Sequence, residues 1–158
     1  MRSLTVLIVV SVASLGLCAD PSKENLAALN GRWTSDSAVK AGEAYPDNVR
    51  KSVRLVLSKG KYTATVGGDV DEGTYKTEES ENPKTITFVV TKGPNKGKTI
   101  LGIYELDKGS LRICCDMSGK TRPTKFESKP DTQSFLANYH RQTRKKGIRA
   151  VGQGGTGD

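Results

Sequence analysis

Three apolar runs follow one another between Lys84 and Asp116, and each has the length of a strand. They are Thr85 to Thr91, Thr99 to Leu106 and Ser110 to Asp116. Ile, Val, Phe, Thr and Tyr dominate them, which suits a pleated, half-buried surface, and each is too short for a typical helix. Lys92-Gly93-Pro94-Asn95-Lys96-Gly97-Lys98 makes the first connection and Asp107-Lys108-Gly109 the second. Short polar connections of this kind join antiparallel neighbours. The middle of the chain is therefore a β-meander, and the remainder has to complete its sheet.

The flanking segments carry the same pattern. Val53, Leu55 and Leu57 alternate with Arg54, Val56 and Ser58, and Lys59-Gly60 turns the chain into Tyr62, Ala64 and Val66. Residues 67–71 form another turn, leading into a strand over 73–77 that Ser80-Glu81-Asn82-Pro83 closes. Gly31-Arg32-Trp33-Thr34 opens the first strand, after a short helix over 22–30 in which Ser22 is the N-cap and Leu26 and Leu29 share a face. Residues 38–50 read as a polar loop, and Arg122 to Glu127 as a further strand with Pro123 near its start. Residues 133–141 fit a strand (Phe135, Ala137, Tyr139) or a helix face (Phe135, Leu136, Tyr139). The strand is preferred, because it would pair with the first strand and leave no open edge. About nine strands with short, consecutive connections predict an all-β, antiparallel up-and-down barrel.

The ends differ in character from this body. Residues 1–19 read as a secretory signal: Arg2 is basic, Leu4 to Ala13 is an apolar stretch too short to span a membrane, and Ala19 is a plausible cleavage point. A lipoprotein signal with Cys18 lipidated is the weaker alternative, because Leu17 stands where a small residue is expected. Residues 20–141 would form the barrel domain, and 142–158 a basic, glycine-rich, disordered tail. The formal net charge is +8, of which +4 falls between Arg141 and Asp158 and only +3 between residues 20 and 140. That distribution argues against a broad basic face for nucleic acid and points to contact of the tail with anionic surfaces. No later segment has the length and apolarity of a transmembrane helix. The expected location is the periplasm or the extracellular space.

Gly31-Arg32-Trp33 resembles the G-x-W signature at the first strand of lipocalins. The wider set is Leu29-Asn30-Gly31-Arg32-Trp33, Gly73-Thr74-Tyr75, Asn82-Pro83-Lys84-Thr85-Ile86, Lys96-Gly97-Lys98, Gly102-Ile103-Tyr104-Glu105-Leu106, Leu111-Arg112-Ile113-Cys114 and Arg122-Pro123-Thr124-Lys125-Phe126. In this order it is similar to an exported, lipocalin-like domain family of planctomycetes that has no established activity, and it covers nearly all of residues 22–141. The resemblance implies a barrel and export. It also implies an arginine laid over Trp33 near the end of the barrel, with Arg141 the best positional match and Arg122 the alternative.

Few residues suggest chemistry. Gly93 to Thr99 superficially resembles a phosphate-binding loop, but the glycine spacing is one residue short and a strand follows, so a hairpin loop is expected. His140 has no evident acid partner in the sequence, and neither a hydrolytic triad nor a metal centre is expected on it. Asp69 and Asp71 read as a polar turn, since a calcium-binding loop is absent. No cofactor and no catalytic activity are expected. Strand parity turns Cys115 inward and Cys114 outward, so two free thiols are expected, with an intermolecular disulfide through Cys114 as the sharper alternative.

Tyr62, Tyr75, Phe88 and Tyr104 fall on the inward parity of their strands. They either line a ligand cavity or simply fill the barrel. The functional expectation is an exported binding module for a small amphipathic or apolar ligand. The alternative is a non-catalytic structural or interaction protein of the cell envelope.

Overall fold

The computed structural model describes residues 26–143. The signal segment with Cys18, the expected Ser22 cap and nearly all of the basic tail lie outside them. The chain forms a helical turn, α1 (26–29), then β1 (Gly31–Lys40), β2 (Glu43–Ala44), α2 (Asp47–Arg50), β3 (Arg54–Ser58), β4 (Lys61–Val66), β5 (Asp69–Glu78), β6 (Thr85–Lys92), β7 (Thr99–Asp107), β8 (Ser110–Asp116) and β9 (Ser134–Arg141). Neighbours in sequence pair antiparallel from β3 to β9, β1 pairs with β3, and β9 returns to β1. The result is a closed eight-stranded barrel, with β2 as a two-residue flap on β1. Among the described residues no helix is long and apolar enough to cross a membrane.

Alternation builds the interior. Leu55 and Leu57 of β3, Ile86, Phe88 and Val90 of β6, Leu111, Ile113 and Cys115 of β8, and Ala137 and Tyr139 of β9 are buried in one core. The tight hairpins have the backbone their twist demands. Lys59 and Gly60 both have positive φ (50° and 78°), as do Lys108 and Gly109 (40° and 89°). Two consecutive positive values match a type I′ turn, which fits the right-handed twist of the flanking strands. The meander of β6, β7 and β8 thus falls where the apolar runs placed it, and residues 134–141 are a strand rather than a helix. The loop expected over 38–50 is shorter than that: β1 runs on to Lys40, and a helical turn occupies Asp47–Arg50.

The strand expected at Arg122–Glu127 does not form. In a closed ring β8 already has β7 and β9 on its two sides, so this segment has no edge to join. It is instead part of a strap, residues 117–133, laid on the outer face. Arg122 holds it there: one guanidinium nitrogen donates to the carbonyls of Ile86 (2.8 Å) and Gly102 (2.5 Å), and the other to Thr87 Oγ1 (2.8 Å). At its start the Asp116 carboxylate accepts bonds from Ser118, Lys120 and Thr121. Phe126 lies against the Arg112 guanidinium, 5.3 Å from ring centre to Cζ.

The strap also corrects the expectation for Cys114. It does turn away from the core, yet it is fully buried, and its thiol donates to the Glu127 carbonyl at 3.3 Å. Both thiols are free, and burial raises the pKa of each. An exposed thiol ready for an intermolecular disulfide is not what this geometry presents. A water-soluble disulfide reagent at about pH 8 should leave native Cys114 and Cys115 unlabelled. Arg122→Ala, which removes charge-assisted bonds worth more than about 1.4 kcal/mol together, should raise the Cys114 labelling rate by about tenfold or more. Cys114→Ser in the same background assigns the site. Unchanged rates would mean that the strap is held without Arg122.

Candidate functional site

The two ends of the barrel are built differently. One is a plug. Trp33 at the start of β1 is 1% exposed, and its indole N–H donates to the Leu29 carbonyl at 3.0 Å. Arg141 at the end of β9 is its direct cross-strand partner. The Arg141 guanidinium carbon sits 4.2 Å from the Trp33 ring centre. Its nitrogens donate to the carbonyls of Asn30 and Ala28, the latter at 2.6 Å. These carbonyls lie at the C-terminal end of α1, where the peptide dipoles leave partial negative charge. One cation therefore covers the indole and caps the helical turn. The Asn30 side chain accepts from the Lys59 N–H at 2.8 Å, which ties the β3–β4 turn to the same end. Of the two arginines that the resemblance offered for this position, Arg141 occupies it and Arg122 does not.

Tyr75 and Tyr104 belong to the plugged half. Tyr104 is buried and its hydroxyl donates to Glu79 Oε1 at 2.9 Å, while Glu79 pairs with Lys84 at 3.1 Å. Tyr75 is also buried and lies against Phe88, ring centres 6.2 Å apart. Neither lines the cavity at the other end of the barrel. Of the four aromatics expected to line one, only Tyr62 and Phe88 do so.

The other end holds a cavity of about 200 Å³. Leu55, Phe88, Ile113, Cys115 and Tyr139 form its inner wall, and Ala64, Val66, Ile100, Met117, Phe135 and Tyr45 its outer part. Lys40, Arg54, Asp69, Asp71 and Asn95 stand round the mouth. The glycine opposite Tyr62 shapes the wall. Tyr62 pairs with Gly73 across β4 and β5, and a Cβ on Gly73 would lie 3.0 Å from Tyr62 Cε1. The ring lies in the space a side chain would fill, edge-on to Phe88 with centres 4.8 Å apart.

Polar atoms on this wall are unevenly served. The Tyr62 hydroxyl is buried and has no hydrogen-bond partner among the described residues. Burial, and then the negative charge of Asp71, resist its ionisation. Asp71 faces inward on β5, paired with Ala64 of β4 and thus one pleat along from Tyr62. Its two oxygens accept from the Asn95 backbone N–H (3.0 Å) and side-chain amide (2.6 Å). Asn95 comes from the 93–98 connection, which is a hairpin loop as expected and folds in towards β5. Gly93 (φ 101°) permits that approach, since a Cβ there would lie 2.2 Å from the Val70 carbonyl oxygen.

His140 does have an acidic partner. Its Nδ1 is 2.7 Å from Asp36 Oδ1, with both side chains about half exposed on the outer surface. The register shift between Ser35 and Ser37 brings Asp36 to this position, across a sequence distance of 104 residues. Among the described residues no group of three His, Cys, Asp or Glu side chains is placed to hold a metal ion. No protein-family profile and no curated protein matches this chain.

Proposed function

We propose that this chain is an exported, lipocalin-like, non-catalytic binding module that holds a small apolar or amphipathic ligand in the open end of its barrel. The observation that carries the reading is the asymmetry of the barrel. One end is sealed by Trp33, Arg141 and α1, while the other keeps a largely apolar hollow beside a buried, unpaired hydroxyl. A dry apolar cavity of about 150 Å³ admits benzene, so about 200 Å³ suits one ring with a short arm. Residues 1–19 support export. An interaction protein of the envelope would call for an exposed apolar patch. Among the described residues only Val70 and Val89 are large, apolar and well exposed, which leaves the basic tail as the support for that alternative.

Propylbenzene, a neutral probe of the right size, tests the reading. Saturation-transfer NMR should show it bound at millimolar concentration, and Ala64→Leu, which fills the cavity from β4, should abolish the transfer. Transfer that survives Ala64→Leu, or none with the wild-type protein, would overturn the proposal. Native mass spectrometry of protein purified from its own source would then show the natural occupant as a discrete added mass.

A further inference from the structure

The cavity has a charge preference built into its wall, an inference that rests on the binding reading above. We propose that the site selects a small cationic amphiphile, with its apolar body among Phe88, Ile113 and Tyr139 and a protonated amine held between the Asp71 carboxylate and the Tyr62 hydroxyl.

The argument begins with what each group lacks. Tyr62 is 5% exposed, and its hydroxyl reaches no partner. The oxygen is closed to water where it stands, so the Tyr62 ring has to turn for a ligand atom to reach it, and that pairing then offsets the cost of a buried, unpaired hydroxyl. Asp71 is held by Asn95 alone, through two neutral N–H donors. Among the described ion pairs none involves Asp71, so its negative charge stands on the cavity wall without a cation against it. Both groups lie on the same inward face of adjacent strands, one pleat apart. A carboxylate is an acceptor only, and a phenol oxygen accepts as well as donates. An ammonium group brings three donors and no acceptor, which complements both. An anionic headgroup would meet the Asp71 charge at close range.

The remaining charges at the mouth do not reverse this. Asp69 precedes Asp71 by one inward position and adds a second negative charge at the rim. Arg54 is turned towards β1, where it donates to Thr34 Oγ1 at 3.2 Å. Lys40 lies on β1, three strands away from β5 around the ring, and is exposed to water. The negative charges are thus gathered on the β5 side, beside the unpaired hydroxyl, and the exposed Lys40 stands across the mouth. Asn95 and the close approach of Gly93 fix the Asp71 carboxylate in this position.

Three probes with similar bodies separate the charge from the cavity: 2-phenylethylamine, 3-phenylpropionate and propylbenzene, each titrated into the full chain by calorimetry at low salt. The amine should bind about tenfold or more tightly than the carboxylate. Asp71→Asn should remove that preference. Tyr62→Phe should weaken the amine several-fold while raising the melting temperature, because it deletes an unpaired buried hydroxyl. Tyr75→Phe, which deletes a buried hydroxyl away from the cavity, should leave the amine affinity unchanged. If the amine and propylbenzene bind equally, or Asp71→Asn leaves the preference intact, the charge selection is wrong and the binding module stands. If none of the three binds, both readings fail.

Discussion

Replacing Trp33 by alanine should destabilise the protein by about 3–5 kcal/mol, the usual range for emptying a buried tryptophan site. The side chain is 1% exposed, anchors Leu29 through its N–H and forms the floor on which Arg141 lies. Arg141→Ala should cost about 2–3 kcal/mol, from the lost stacking together with charge-assisted bonds to the Asn30 and Ala28 carbonyls that are partly open to water. The indole emission should shift to the red as water reaches the ring. The two losses should not add. A double-mutant cycle by urea denaturation should return a coupling of about 0.5–2 kcal/mol, the part of Arg141 that needs the indole beneath it. Strict additivity would mean that Arg141 acts only on the α1 carbonyls and that its position over the ring is incidental.

Gly73→Ala should cost about 2–3 kcal/mol, near the top of the range for overpacking a core. The added methyl carbon would stand 1.9 Å from the Val89 carbonyl oxygen and 2.9 Å from its carbon, so backbone and not a flexible side chain would have to yield. It would also press on the Tyr62 ring and so alter the cavity wall. Gly97→Ala is the comparison. Nothing lies within 4 Å of that site, and only its φ of 89° resists, at about 1 kcal/mol. Thermal melts would rank the two, and ring shifts of Tyr62 would report the wall. If Gly73→Ala costs no more than Gly97→Ala, the close approach of β5 to β6 is not a constraint.

The strands were readable because their alternation and their turns agreed. Lys59-Gly60 and Lys108-Gly109 each end an apolar run with a glycine suited to positive φ, and the hairpins form there. Closure was readable because residues 133–141 alternate and the meander would otherwise leave two bare edges. Residues 122–127 misled for the converse reason: they have strand composition, but in a closed ring no pairing position remains. Cys114 shows the limit of parity. It assigns a face, whereas burial of the outer face here depends on the strap, whose path is set by Arg122 reaching carbonyls 20 and 36 residues away. Height along the barrel axis is equally invisible in parity. Tyr62 and Tyr104 both point inward, yet one faces the cavity and the other is packed in the plugged half. The pairing of Asp36 with His140 depends on an irregularity in β1 that no local signal marked.

Joining β1 to β9 has a consequence for how the protein comes into being. The other ladders link strands closer together in sequence, several of them through short hairpin turns, so their residues become available earlier. The last seam links Trp33 to Arg141 and has to wait for the whole body of the chain. Until then β1 and β9 each offer an unpaired edge to any other strand in reach, including those of a second copy. The vulnerable species is thus the open meander, complete in its hairpins and lacking only its seam. Arg141 lies at that seam, and its contacts with Trp33 and α1 form only as the ring shuts, so the residue that completes the plug also marks the end of the chain's exposure to aggregation.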